Sequence, residues 1–274
     1  MASDIRVLVF GAHPDDDDLQ CGGTAIKLSK AGHTVKFVSC TNGGTGHHAI
    51  GGIELVRRRY EEAQRAAEVA GIAEYQVLDI HNGELEPTVV NRKTIIKIIR
   101  EFRPDLIITH RPYDYHPDHR ITSQLVQDAS YIMSVPNMLP LTEAITEFPV
   151  ICYMSDTFRK PIPFSPDIVI GIDDVIDRKM EMIHCHTSQM YEWLPYNRGV
   201  LDTVPTDEEE RKRWLREHFL DIRDRVTDRY RDRLIELYGE AEGKAIRYAE
   251  AFEVCEYGRP LALTRAEIEK VFVL

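Results

Sequence analysis

The 274-residue chain contains no apolar run approaching the eighteen or so residues that a membrane helix needs. It also has no block of Lys and Arg that would draw it to an anionic membrane surface. A formal net charge of -11 argues against a nucleic-acid partner, because proteins of that class present basic faces. The five cysteines, Cys21, Cys40, Cys152, Cys185 and Cys255, are odd in number and show no Cys-x-x-Cys spacing, which argues against both a disulfide framework and a cysteine zinc site. They are expected to be reduced. The opening Met1-Ala-Ser-Asp-Ile5 lacks the basic and apolar regions of a secretion signal. A dinucleotide turn is missing too: the first strand leads into Gly11-Ala-His-Pro-Asp-Asp16 and not Gly-x-Gly-x-x-Gly, and acids there would repel a pyrophosphate. These absences leave a cytoplasmic protein that acts on small molecules, long enough for a sizeable core.

What the chain does carry is a pair of strand-end clusters. Val7–Phe10 is a short apolar run that stops at Gly11 and gives way to His13, Pro14 and four acids, Asp15, Asp16, Asp17 and Asp18. Such a run reads as a buried strand, and polar residues just past its carboxyl end sit where open α/β sheets bind ligands. Four adjacent acids repel one another, so keeping them beside a histidine implies a cation that offsets the charge. The competing reading is a solvated acidic turn, since helix starts often carry Asp. A second cluster weighs against it. Asp105–His110 reads as another buried strand, and His116-Pro-Asp-His119 follows its end. Pro117 suits the first position of a helix running to about residue 133, which places His116 and His119 near one helix start. Two such loops can converge at one edge of a parallel sheet. Their mixture of nitrogen and carboxylate donors points to zinc or a similar first-row ion more than to magnesium.

The rest alternates strand and helix. Strands are expected at 5–11, 35–40, 76–80, 105–110, 150–154 and 167–171, and helices at 19–31, 53–70, 91–102, 117–133 and 174–185. That order predicts a Rossmann-like α/β fold with a right-handed, mostly parallel sheet and helices on both faces. The loop Thr41–Gly52, rich in glycine, falls on the same edge as the clusters and is a plausible lid; His47 and His48 within it are expected to face solvent. Beyond residue 190, Leu215, Phe219, Ile222, Val226, Tyr230, Leu234 and Leu237 recur at intervals of three or four in a highly charged stretch, which predicts an amphipathic helical extension. Residues 1–190 are therefore read as the metal-dependent core and 191–274 as a charged helical portion that packs on it and caps the active-site edge.

The chain resembles the zinc-dependent de-N-acetylases that include LmbE-like proteins and N-acetylglucosaminyl-phosphatidylinositol de-N-acetylase. The resemblance rests on Ala12-His-Pro-Asp-Asp16, Cys21-Gly-Gly-Thr24, Thr41-Asn-Gly-Gly44, Arg59 with Glu62, Ala63, Ala66, Ala67 and Gly71, His116-Pro-Asp-His119, and the late His186-Thr-Ser-Gln189. It implies that His13, Asp16 and His119 hold the metal and leave a position for water, as catalytic zinc sites do. It further implies that Asp15 is the general base, that His116 stabilises the oxyanion or protonates the leaving amine, and that Asp118 orients an imidazole. Arg59, Asn82 and His186 align with substrate contacts. Two departures stand out: Asp17 replaces the family's usual Glu, and Asn82 replaces an Asp. The implied reaction is hydrolysis of an acetamide on an N-acetylglucosamine-type sugar or conjugate, by a protein that can associate into homo-oligomers. A non-catalytic metal or sugar-binding module and a magnesium phosphohydrolase remain as alternatives.

Overall fold

The computed structural model describes residues 4–223 and 225–274, and side chains outside 220–225; Met1–Ser3 and the Ile222 side chain of the apolar stripe lie outside the described residues. The strands β1 (Arg6–Gly11), β2 (Thr34–Ser39), β3 (Glu74–Val77), β4 (Leu106–Thr109), β5 (Val150–Met154), β6 (Ile168–Gly171) and β7 (Ala249–Cys255) form one sheet in the order β3-β2-β1-β4-β5-β7-β6. The first five are parallel, whereas β7 runs antiparallel to both of its neighbours.

The side-chain period of a strand explains why helices cover both faces. Along β1, Val7 and Val9 enter one core with α1 (Asp16–Lys30), α2 (Gly52–Ala70) and α5 (Ile176–His184). Leu8 and Phe10 point the other way, into a second core with α3 (Val89–Phe102) and α4 (Pro117–Ile132). In α2 the buried alanines Ala63, Ala66, Ala67 and Ala70 make a narrow small-residue face that lets the helix pack closely on its neighbours. Gly71 closes it in the left-handed conformation, at φ 74°.

The connectivity positions the site. From β1 the chain steps outward through β2 and β3, then returns to β4 on the other side of β1. The turns leaving β1 and β4 therefore enter helices on opposite faces, and a crevice opens between neighbouring strand ends. Both sequence clusters lie there.

Two features depart from the expected element pattern. The third strand starts earlier and is shorter than 76–80, because pairing to β2 runs only from Lys36 opposite Glu74 to Ser39 opposite Val77. The portion after residue 190 carries helices, and it also supplies β7, which lies between β5 and β6. Removing everything after residue 205 would take an inner strand from the sheet. Among the described residues of the apolar stripe, Leu215 packs with Met180, Ile183, Met190 and Tyr191, while Leu234 and Leu237 join the core near β6. No helix among the described residues is long and apolar enough to cross a membrane.

Candidate metal centre

The turn after β1 is tied to itself by Asp16, whose Oδ2 accepts the backbone N–H groups of Ala12 (3.0 Å) and His13 (2.8 Å). Gly11 is needed where this turn folds back, since a Cβ there would fall 2.5 Å from Asp17 Oδ1. On the other side of the crevice His116 caps α4, its Nδ1 accepting the Asp118 N–H at 3.2 Å, with Pro117 at the first helical position.

These loops bring three donor atoms face to face. His13 Nδ1 lies 3.2 Å from Asp16 Oδ2 and 3.2 Å from His119 Nε2, and Asp16 Oδ2 lies 3.4 Å from His119 Nε2. Ligands about 2.0–2.1 Å from a tetrahedral ion are separated by roughly 3.3 Å along each edge, so this triangle matches one face of such a site. Two overlapping sets of three, His13 with His116 and His119, and Asp16 with His110 and His119, each keep their candidate ligand atoms within 4.8 Å. The chain thus presents a His/Asp metal-binding group, and its chemistry fits a divalent cation.

Each imidazole is also held from behind. Asp118 Oδ2 lies 3.2 Å from His13 Nε2 and accepts the Gly83 N–H at 2.6 Å. Asp114 Oδ2 lies 3.1 Å from His119 Nδ1. Both carboxylates turn the opposite ring nitrogen toward the centre. Burial works to lower the pKa of His13, yet the Asp16 charge and the Asp118 and Asp16 contacts lift it to about 9. Burial likewise works to raise Asp16, but His119, His13 and His110 hold its carboxyl well below the usual range. His116 moves the other way: burial, then the charges of His13 and His119, lower it to about 4. A carboxylate set among imidazoles in this way has the donor set and charge pattern to bind a divalent ion.

Asp15 points to a different partner. Its Oδ1 forms an ion pair with Arg59 Nη2 at 2.9 Å, and Arg59 is only 2% exposed. Arg59, expected to reach the substrate, is instead buried against Asp15 under the Thr41–Gly44 loop. At Gly43, where φ is 72°, a Cβ would come within 2.6 Å of Arg59 Cδ, so this glycine makes room for the Arg59 side chain.

The other two expected substrate contacts each have partners within the protein. Asn82 Oδ1 accepts the Thr45 N–H at 2.8 Å, and its backbone carbonyl accepts the Thr45 hydroxyl, clasping the loop. His186 is fully buried, with Nε2 3.1 Å from Asp18 Oδ1, while Tyr75 donates to Asp18 Oδ2 at 3.0 Å. The residues following His186 anchor to Glu62, which accepts from the Thr187 hydroxyl, the Ser188 N–H and the Ser188 hydroxyl. Asp17 is buried as well; burial, then the neighbouring Asp18, Asp16 and Asp15, push its pKa well above the carboxylate range.

His47 does not face solvent. Its Nε2 lies 2.9 Å from Glu192 Oε2, and Glu192 is also paired with Arg58. His48 is exposed, as the sequence suggests, and stacks on Tyr196 at 4.1 Å. Sequence reasoning missed Asp114 and His110. A signal existed for Asp114, which lies two residues before His116, and for His110, the residue that directly follows β4.

Comparison with known proteins agrees with this geometry. The family model described as PIG-L, GlcNAc-PI de-N-acetylase, matches residues 8–130. A diacetylchitobiose deacetylase of Thermococcus kodakarensis is 32% identical over 209 residues, covering 71% of this chain and 76% of the relative. A probable N-acetyl-alpha-D-glucosaminyl L-malate deacetylase 2 of Bacillus cereus is 31% identical over 193 residues, covering 67% of this chain and 83% of the relative. In overall fold, the chain is similar to the N,N'-diacetylchitobiose deacetylase of Pyrococcus horikoshii, with a TM-score of 0.72 at 24% identity over 93% of this chain and 85% of that one. With the sheet-edge His/Asp group, the ordered motifs and these relatives in agreement, the chain belongs to the PIG-L, or LmbE-like, family.

Proposed function

We propose that this chain is a zinc-dependent hydrolase that removes the acetyl group from an N-acetylated sugar of the N-acetylglucosamine type or a conjugate of one. The observation that carries the reading is the triangle of His13 Nδ1, Asp16 Oδ2 and His119 Nε2, with the Asp15 carboxylate on the adjoining residue. The named activities of the two sequence relatives supply the substrate class.

In this reading His13, Asp16 and His119 hold the ion. When bound, zinc supplies Lewis acidity toward the acetamide oxygen and brings the pKa of water toward ~7. Asp15 takes the proton of the attacking water and returns it to the departing amine. Arg59, on its far side, keeps that carboxylate aimed. His116 serves the oxyanion. Because its Nδ1 accepts from Asp118 N–H and its pKa is lowered, the neutral ring carries its proton on Nε2, which is free to donate to the negative charge that develops on the carbonyl. Asp118 and Asp114 keep the imidazoles of His13 and His119 in the tautomers that offer lone pairs to the centre. Five unpaired thiols are consistent with a reducing compartment, and we place the enzyme in the cytoplasm.

The experiment is to load the metal-free protein with zinc and measure free-amine release from N-acetylglucosamine, its disaccharide and its conjugates. Zinc-dependent amine release from at least one of them is expected. Stoichiometric metal binding with no amine released from any would reject the enzymatic reading, and phosphate release driven by magnesium would replace it.

A further inference from the structure

His110 has no part in the reading above, yet it touches two of the three groups that would hold the ion. It directly follows β4, is 4% exposed, and stacks its ring on that of His119 with centroids 4.1 Å apart and planes 12° from parallel. Its Nε2 lies 3.3 Å from Asp16 Oδ2, and both atoms accept from the Ala12 N–H, at 3.1 and 3.0 Å. The His119 ring is therefore fixed at one edge by Asp114 and across one face by His110. With its edge and that face occupied, the ring is held against rotation away from Asp16 and His13.

We infer that His110 is a positioning residue of the metal centre, whose flat ring backs His119 and sets the angle at which Nε2 meets a divalent ion. The inference rests on the metal reading of the site and adds to it the cause of its preorganisation. Two facts single out ring packing as the dominant contribution. The Ala12 N–H retains Asp16 as an acceptor if His110 is lost, so the carboxylate stays tied. The ring of His119, by contrast, would lose the surface that covers one of its faces, and a mobile ligand must be ordered again on each binding event.

The test compares His110→Ala, His110→Phe and His110→Gln in the full chain, depleted of metal and then titrated with zinc against a chromophoric chelator of known affinity. Contacts behind a metal ligand commonly contribute 10- to 100-fold in affinity, and that is the weakening expected for His110→Ala. Phe keeps the flat ring, so His110→Phe should bind within about 3-fold of the wild type. Gln keeps an acceptor near Ala12 and loses the ring, so it should weaken binding as Ala does. Thermal melting of the metal-free variants separates this from general damage: a fold defect moves all three melting curves, whereas the inference requires zinc affinity to follow the presence of the ring. Equal zinc affinity for wild type and His110→Ala would overturn the proposal, and so would a Phe variant as weak as the Ala variant. If the wild type itself takes up no zinc, it is the metal reading that fails and not this assignment alone.

Discussion

Replacing Arg59 by Met separates the two roles open to this residue. Met keeps most of the aliphatic volume under the Thr41–Gly44 loop and removes the guanidinium 2.9 Å from Asp15 Oδ1. A hydrogen bond to a charged group contributes ~1.5–3 kcal/mol, and at 1.36 kcal/mol per factor of ten that amounts to roughly 10- to 150-fold. Because Arg59 is 2% exposed and faces Asp15, the loss should fall on kcat, through a base less well aimed, with KM within about 2-fold of the wild type. Steady-state kinetics on zinc-loaded protein with an N-acetylated sugar reads both parameters, and zinc content should stay unchanged because Arg59 does not touch the triangle. A raised KM with kcat intact would refute this reasoning and return Arg59 to the substrate, the role implied by the family resemblance.

Three further outcomes follow from the same geometry. Asp15→Asn should retain zinc and lose about 10²- to 10⁴-fold in turnover, the range for a positioned general base, and a variant that keeps more than about a tenth of the rate would dismiss Asp15 from that role. Gly43→Ala should lower the melting temperature, because it forces an L side chain to φ 72° and places a Cβ 2.6 Å from Arg59 Cδ; a cost of ~1–3 kcal/mol is expected, and an unchanged melting curve would show that the loop yields freely. In the metal-free protein the raised His13 pKa is stabilising below its unfolded value near 6.5, and that stabilisation is lost as pH rises through about 9. Stability of the metal-free form should therefore fall between pH 6.5 and 9, and the fall should vanish in His13→Asn; a flat profile in the wild type would mean that His13 is not holding a proton there. The depressed pKa of Asp16 acts in the opposite window, with its contribution lost on acidification.

The parts of the molecule legible in the sequence are those whose signals are local. Val7–Phe10 and Leu106–Ile108 are apolar and continuous because parallel strands are buried on both faces, and the His/Asp clusters follow each run within a few residues. Both clusters could therefore be assigned to one sheet edge before any fold was known. Strand β7 was not legible, because its Glu250 reads as a solvent-facing residue. In the structure that carboxylate is 4% exposed, accepts from Gly23 and Thr24, and pairs with Lys179, all distant in the chain. The same limit hid the surroundings of the metal centre. Nothing near Arg59 in the sequence says that its guanidinium turns to Asp15, and nothing near His110 says that it stacks on His119, since both contacts exist only after β1 and β4 pair. His186 is the converse case: its motif marks it out in the sequence, and in the structure it lies buried beside Asp18 while the following residues anchor to Glu62.

The most direct test of the central claim is X-ray absorption at the zinc edge on protein reconstituted with one equivalent of zinc, with metal content measured alongside. One ion per chain is expected, in a shell of nitrogen and oxygen donors at about 2.0–2.1 Å with two imidazoles resolved, and both imidazole signals should weaken when His13 and His119 are replaced. Sulfur ligands, a purely oxygen shell, or a spectrum indifferent to those two substitutions would contradict the assignment.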